Sequence, residues 1–494
     1  MLGQFPKTEA LFDALPNGEA HLKHLIKLDT EFDESVKTGR RRFGPVEDRS
    51  LDVSTTLDFD IIYAGGTLAL PHAVLMARRG YRVLVFDRYK VGFVRREWNV
   101  GREEFEALHR SGLFSPEVAE TMAFRRYSHG IVRWHGGPEL AIEGVLDVPL
   151  DAASLMKTTR DELTKAGGQV RDRWTLERYC ARPRQVEVAI QTPDGPRQLT
   201  ARLLVLATGA SAARDFDLIC PTVGTVATGF VNGTGKDEVN PDVGEVLVST
   251  EGISRGRQLI WELFPGREDE VATYLFYYHE PRPEYPGQLL ELFERYLEKL
   301  PSYKRSDHLK HLRPVYGFIP AYTRQLSREV SPCERILAYG DAAAQQSPLT
   351  FTGFGSALRH LSRMADGVDQ ALRDDDLSQK RLNQLRAGQA NLNILGSLTL
   401  MMTVRQGQSP HPEAINKLLI AAFDSLWSTE GASILAFMQD RFSWAEFTRF
   451  MLGTMERHPR IFAHVFSVLT PREVVHFVKD YVHFALVSGT TRMG

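Results

Sequence analysis

The first residues able to do chemistry lie in the stretch DFDIIYAGGTLALPHAVLMARRGYRVLVFDRY. An apolar run ends at Gly65, and Gly66 and Thr67 follow. A second apolar run ends at Asp87, 22 residues after Gly65, with Arg88 next. A dinucleotide phosphate needs residues of these kinds. It takes a tight glycine turn, a close backbone approach, a helix N-terminus aimed at the phosphates, and an acid about 20 residues on for a ribose hydroxyl. Gly65 fills the first glycine position, Thr67 stands at the second and Leu70 at the third. Thr67 could offer a hydroxyl to a phosphate, and Ala69 is small enough for close approach. Two glycines of the usual three are absent, so this stretch alone is equally an ordinary strand–turn–helix.

Three later segments shift that balance. In RILAYGDAAAQQSPLTFTGFGSALRHL, an apolar run ends at Gly340-Asp341, and a turn with Pro348, Gly353, Phe354 and Gly355 leads into a helix. Asp341 can accept from the hydroxyls of a ribityl chain. Backbone N–H groups at Gly353–Gly355 can meet the edge of a flavin ring that becomes anionic on reduction. ARLLVLATGA ends a buried run at Thr208-Gly209, which would return the chain beside an adenine. WNVGREEFEAL puts Arg102 at the mouth of a helix, within reach of a pyrophosphate.

These groups need a scaffold, and the pattern supplies one. Residues 1–56 read as a helical preface, with Leu22, Leu25, Ile26 and Leu28 near one face and a solvated Arg40–Arg42 loop after it. Residues 57–365 alternate strands and helices, which argues for an α/β domain with a parallel sheet. TPDGPRQ marks an antiparallel hairpin within it, and a β-rich segment of about 225–330 reads as a substrate region. Residues 366–494 read as all helical, rich in Met, Phe and Trp. The fold class expected is α/β: a Rossmann-like nucleotide domain with an inserted β region and a helical C-terminal extension.

Composition sets the outer bounds. Of 494 residues, 43% are hydrophobic and 25% charged, and the net charge is −2. That balance leaves no basic footprint for nucleic acid. Three cysteines, Cys180, Cys220 and Cys333, form no CxxC pair, so neither zinc nor a disulfide framework is expected. His458, His464, His476 and His483 lack metal-ligand spacing, and no metal is assigned. The start MLGQFPKTEALFDAL has no signal-peptide pattern, and a cytoplasmic location is expected. LNILGSLTLMMTV is 13 residues long; crossing a bilayer takes about 20. NGTGKDE lacks P-loop spacing and reads as a surface turn.

Taken in order, the four segments resemble the FAD-binding fold of the hydroxybenzoate-hydroxylase and geranylgeranyl-reductase superfamily. YAGGTLAL, RREWNVGREEFEAL, QLIWELFPG, ATYLFYY, RPVYGFIPAY and YGDAAAQQSPLTFTGFGSALRHL further resemble the Cru-type lycopene cyclases and their paralogues. Ala69 departs from that pattern, which carries Gly there. The resemblance implies FAD as cofactor and a carotenoid or other long apolar molecule as substrate. It also implies an external reductant, since no second nucleotide fingerprint is present. Cyclisation would need a carboxylic acid kept protonated in an apolar pocket and negative charge to stabilise a cation. Glu262, in LIWELF, is the first choice, although a strand glutamate can equally point outward. Glu97, in RREWN, is the second, with Arg95 and Arg96 favouring its ionised form. His279 reads as structural. The helical tail reads either as a packed subdomain or as a greasy tunnel opening on a membrane face. Alternatives to a cyclase are a flavin-dependent double-bond reductase or monooxygenase, or a non-cyclising pigment-binding paralogue.

Overall fold

The computed structural model describes residues 2–38, 46–94, 97–209, 218–284, 287–322, 332–343, 349, 353–385, 390–405, 407–428, 432–461, 465 and 468–490. Phe59–Ala64 is a central strand of an eight-stranded sheet. Ile61, Ile62, Tyr63 and Ala64 are buried on both faces, which is why this strand reads as a continuous apolar run and not an alternating one. It pairs in parallel with Val83–Asp87 on one side and with the end of Gly195–Leu206 on the other. Between the first two strands runs the helix Leu70–Arg78, with Pro71 in its first turn and Gly80 at positive φ beyond its end. Ile336–Ala338 also pairs in parallel with the Gly195–Leu206 strand, so the segments that follow Ala64, Asp87, Leu206 and Ala338 leave the same end of this sheet, whereas Trp98–Val100 pairs with Val148–Leu150 in a separate two-stranded sheet. The expected hairpin is present: Val186–Thr192 pairs antiparallel with Gly195–Leu206, and Gly195 takes φ 116° in the turn.

A second sheet of seven strands runs in the order Ser306–Tyr322, Leu218–Phe230, Val271–Phe276, Ile260–Pro265, Val243–Val248, His129–Arg133 and Glu139–Ile142. It is wider than the 225–330 segment expected, because it starts at Leu218 and recruits two strands from before the Ala152–Lys165 helix. The run ATYLFYY hides a period of two. Tyr274, Phe276 and Tyr278 pack with Ile260 and Phe264 against the C-terminal helices Ala390–Leu400, Ala414–Ser428, Ala432–Met438 and Trp444–Arg457. Leu275 and Tyr277 pack with Trp261 and Leu263 under Leu289–Tyr303 and the N-terminal helices Pro6–Ala14 and Gly18–Thr38. The preface is therefore anchored on the outer face of the second sheet. Asp29 accepts from the Leu289 and Leu290 N–H groups at 2.8 and 3.0 Å, capping the covering helix.

Candidate functional site

The turn after Phe59–Ala64 is built by contacts that only glycine permits. Gly65 takes φ 103°, and a Cβ there would lie 2.1 Å from the Ala207 carbonyl oxygen. The turn is thus pressed against the end of the strand carrying Thr208 and Gly209. The Gly65 N–H donates to the Phe86 carbonyl at 2.8 Å. Asp87 holds the next residue: its Oδ2 accepts from the Gly66 N–H at 3.0 Å and its Oδ1 from the Tyr89 N–H at 2.8 Å. The carboxylate expected to meet a ribose therefore also ties off the turn. Arg88 beside it is exposed, its guanidinium 5.1 Å from the Tyr89 ring centre. Among the described residues, the N–H groups of Thr67, Leu68 and Ala69 have no protein acceptor, and no side chain caps the helix that follows. That is the arrangement in which a helix start receives a phosphate.

Ala69 is fully buried at φ −85° and ψ −8°, a conformation open to any L-residue. Nothing in its backbone calls for glycine. Ala69→Gly is expected to leave flavin content unchanged and to lower stability by up to about 1 kcal/mol through the lost buried methyl. Absorbance of the purified variant and its urea midpoint check both.

The Gly340–Ala343 turn is a 3-10 segment in which Gly340, at φ 63°, packs on Leu68. Asp341 is thereby set beside the first turn, half-buried. Gly353–Arg359 is a short helix; Pro348 lies outside the described residues. Gly355 has a reason that the sequence did not show. A Cβ there would lie 2.2 Å from Glu104 Oε2, so the glycine makes room for a buried carboxylate. Glu104 accepts from the Gly101 N–H at 2.8 Å and pairs with Arg359. One residue earlier, Phe354 stacks on Trp98 with ring centres 4.3 Å apart. The EWN and GFG segments thus lock each other. Arg102 departs from its expected role. Its Nε pairs with the fully buried Asp147 at 2.7 Å, and its Nη2 donates to the Tyr127 carbonyl at 2.8 Å. A buried carboxylate needs that counter-charge, so the guanidinium is committed there and not extended toward a pyrophosphate.

Glu262 lies on the inner face of the second sheet, opposite Tyr274 and on the same face as Ile260 and Phe264. It is half-buried, between fully buried neighbours on its strand. Burial pushes its carboxyl up to about 8, and no hydrogen bond or cation among the described residues offsets that push. Burial also drives the Cys220 thiol and the Tyr278 hydroxyl far upward, and the Glu262 charge adds to both. Tyr278 donates to the Leu349 carbonyl at 3.0 Å, tying this face to the segment between Ala343 and Gly353. Cys220, Tyr274 and Tyr278 were not singled out from sequence. For the two tyrosines the period of two in ATYLFYY was the available signal.

Glu97 occupies a different setting. It lines a cavity of about 450 Å³ between the residues around Trp98 and the near edge of the second sheet, where Val226, Phe264 and Ala272 contribute an apolar wall. Its Oε1 is engaged by Arg313 Nη2 at 2.5 Å, with Glu270 on the other side of that guanidinium at 3.8 Å. The expected partners Arg95 and Arg96 lie outside the described residues. Glu97 is thus held in an ion pair, whereas Glu262 has no ionic partner among the described residues. Phe264, which lines this cavity, is two residues beyond Glu262 on the same face of its strand; Glu262 is not among the lining residues. His279 is buried and bridges to Ile219, as a structural histidine would. No cluster able to hold a metal occurs among the described residues.

No protein-family model matches this chain, and no curated protein matches it. Solved structures do. A geranylgeranyl bacteriochlorophyll reductase-like protein from Thermoplasma acidophilum superposes with a TM-score of 0.60 at 12% identity, covering 83% of this chain and 99% of that one. Halogenase PltM in complex with phloroglucinol and FAD gives 0.55 at 14% identity, covering 88% and 92%. A triple mutant of the flavin-dependent brominase Bmp2 gives 0.56 at 12% identity, covering 81% and 100%. At such identities the likeness is one of fold. The chain shares the Rossmann-type α/β fold of these proteins, with a second sheet and a helical C-terminus.

Proposed function

We propose that this chain is an FAD-dependent enzyme acting on a long apolar polyene, and that it works as a lycopene cyclase. One observation carries the reading: a carboxyl without a hydrogen-bond or ionic partner among the described residues, Glu262, raised to about 8 by burial on an apolar sheet face. FAD fits the residues at hand. Three N–H groups, at Thr67, Leu68 and Ala69, have no acceptor among the described residues and would be available to a pyrophosphate. Asp87, bound to the Gly66 N–H, would take a ribose hydroxyl and Asp341 the ribityl hydroxyls, and no described atom lies within 4 Å of a Cβ at Gly209. Halogenase PltM, which shares the fold, is solved with FAD.

Bound FAD in its reduced, anionic form would supply negative charge beside the substrate. The chain's own residues do the rest. At neutral pH Glu262 carries its proton and donates it to a terminal carbon–carbon double bond. The tertiary cation so formed closes on a neighbouring double bond, and loss of a ring proton to the Glu262 carboxylate restores the acid. Atoms balance, and no net oxidation occurs. Ile260, Phe264 and Phe276 keep water from the cation. Expression in a lycopene-accumulating host is the test: cyclic product is expected, and unchanged lycopene alongside folded, flavin-loaded protein would reject the cyclase.

A second reading is favoured by the likeness to the reductase-like protein. The same acid could protonate a double bond that receives a hydride, with an external donor providing the electrons. A product two hydrogens heavier than its substrate would identify that reaction; an isomer of equal mass identifies cyclisation.

A further inference from the structure

The last described helix, Pro471–Thr490, turns one side to the protein. Phe484 is buried, Tyr481 shares a hydrogen bond of 2.8 Å with Thr448, and Phe477 packs on Phe447. Another side does not. Val475, Val478, Val482 and Leu486 are 52%, 52%, 51% and 66% exposed, and their spacing of three and four residues puts them in one stripe. The adjoining helix Trp444–Arg457 leaves Leu452 58% exposed. Isolated exposed apolar residues are ordinary, but a continuous stripe marks a contact surface.

Charge says what that contact is. At 100° per residue, Lys479, Arg472 and His483 follow the stripe along one edge, and all three are exposed. The acids of this helix point elsewhere: Glu473 is paired with Arg405 at 2.7 Å, and Asp480 is half-buried on the far side. An apolar stripe edged with the cations Arg472 and Lys479 is what a helix needs to lie in the interface of an anionic bilayer. No helix among the described residues is long and apolar enough to cross a membrane. We propose that the protein docks on anionic lipid surfaces through this stripe, with the helix lying in the membrane plane. The proposal does not depend on the flavin reading.

The test is co-sedimentation of the full chain with phosphatidylcholine vesicles, with and without phosphatidylglycerol. Binding is expected to the anionic vesicles and to weaken with salt. Val475→Ser, Val478→Ser and Val482→Ser together should reduce it on the order of tenfold or more. Arg472→Glu with Lys479→Glu should reduce it likewise, with flavin content and melting temperature unchanged. No binding by the native chain, or equal binding by both variants, would overturn the proposal. So would a native dimer that the valine variant converts to monomer, because the stripe would then be a contact between copies.

Discussion

Glu262→Gln is expected to lower turnover about 100- to 10,000-fold while leaving flavin binding intact. Glutamine keeps the shape of the side chain but holds no transferable proton. The same change has a second signature, in stability. Burial raises the Glu262 carboxyl to about 8 from an ordinary value of 4.5. Between those limits the folded chain holds a proton that the unfolded chain has released. Stability from this group is therefore full below pH 4.5, falls as pH rises toward 8, and is flat above. The Gln variant should lack that slope, and above pH 8 it should be the more stable protein, having no buried charge. In the native enzyme, turnover should fall as pH rises through about 8. A Gln variant with native turnover would remove Glu262 from the chemistry. A native slope in that variant would place the titrating group elsewhere.

Gly65→Ala should be the most damaging single change in the nucleotide half. Two penalties act together. Alanine is strained at φ 103°, and its Cβ would fall 2.1 Å from the carbonyl oxygen of Ala207, the residue just beyond the strand, whose N–H is held by the Ala64 carbonyl at 2.8 Å. We expect a loss of about 3 kcal/mol or more and no retained flavin. Gly209→Ala is the control. Gly209 also has positive φ, 66°, but no described atom lies within 4 Å of its Cβ position. Its cost should be roughly 1 kcal/mol. Urea denaturation of both variants, with absorbance for flavin content, separates a turn that must be glycine for packing from one that merely prefers it.

The contrast shows what a sequence can and cannot convey here. The strand–turn–helix around Gly65 was legible because a buried parallel strand is uniformly apolar and a helix announces its first turn with Pro71. The apolar setting of Glu262 was legible from its neighbours Trp261, Leu263 and Phe264, although the sequence left open which way the side chain points. What escaped notice was tertiary. Gly355 is small because Glu104 comes to it from 251 residues away. Arg102 is spent on Asp147, a residue whose burial leaves no local trace. Trp98 and Phe354 are joined only by the fold. The width of the second sheet was hidden likewise, since His129–Arg133 enters it by parallel pairing with a strand more than 100 residues later. Ala69 looked like a weakened glycine in the sequence, yet its backbone lies where alanine is at ease.

The most direct measurement is the visible absorption spectrum of the purified chain, with the released chromophore identified by mass. FAD in roughly equal proportion to protein is expected, showing the two-band spectrum of oxidised flavin. Folded protein that carries no flavin, and takes up none when FAD is supplied in excess, would contradict the assignment of the Gly65–Ala69 turn, Asp87 and Asp341 to a cofactor.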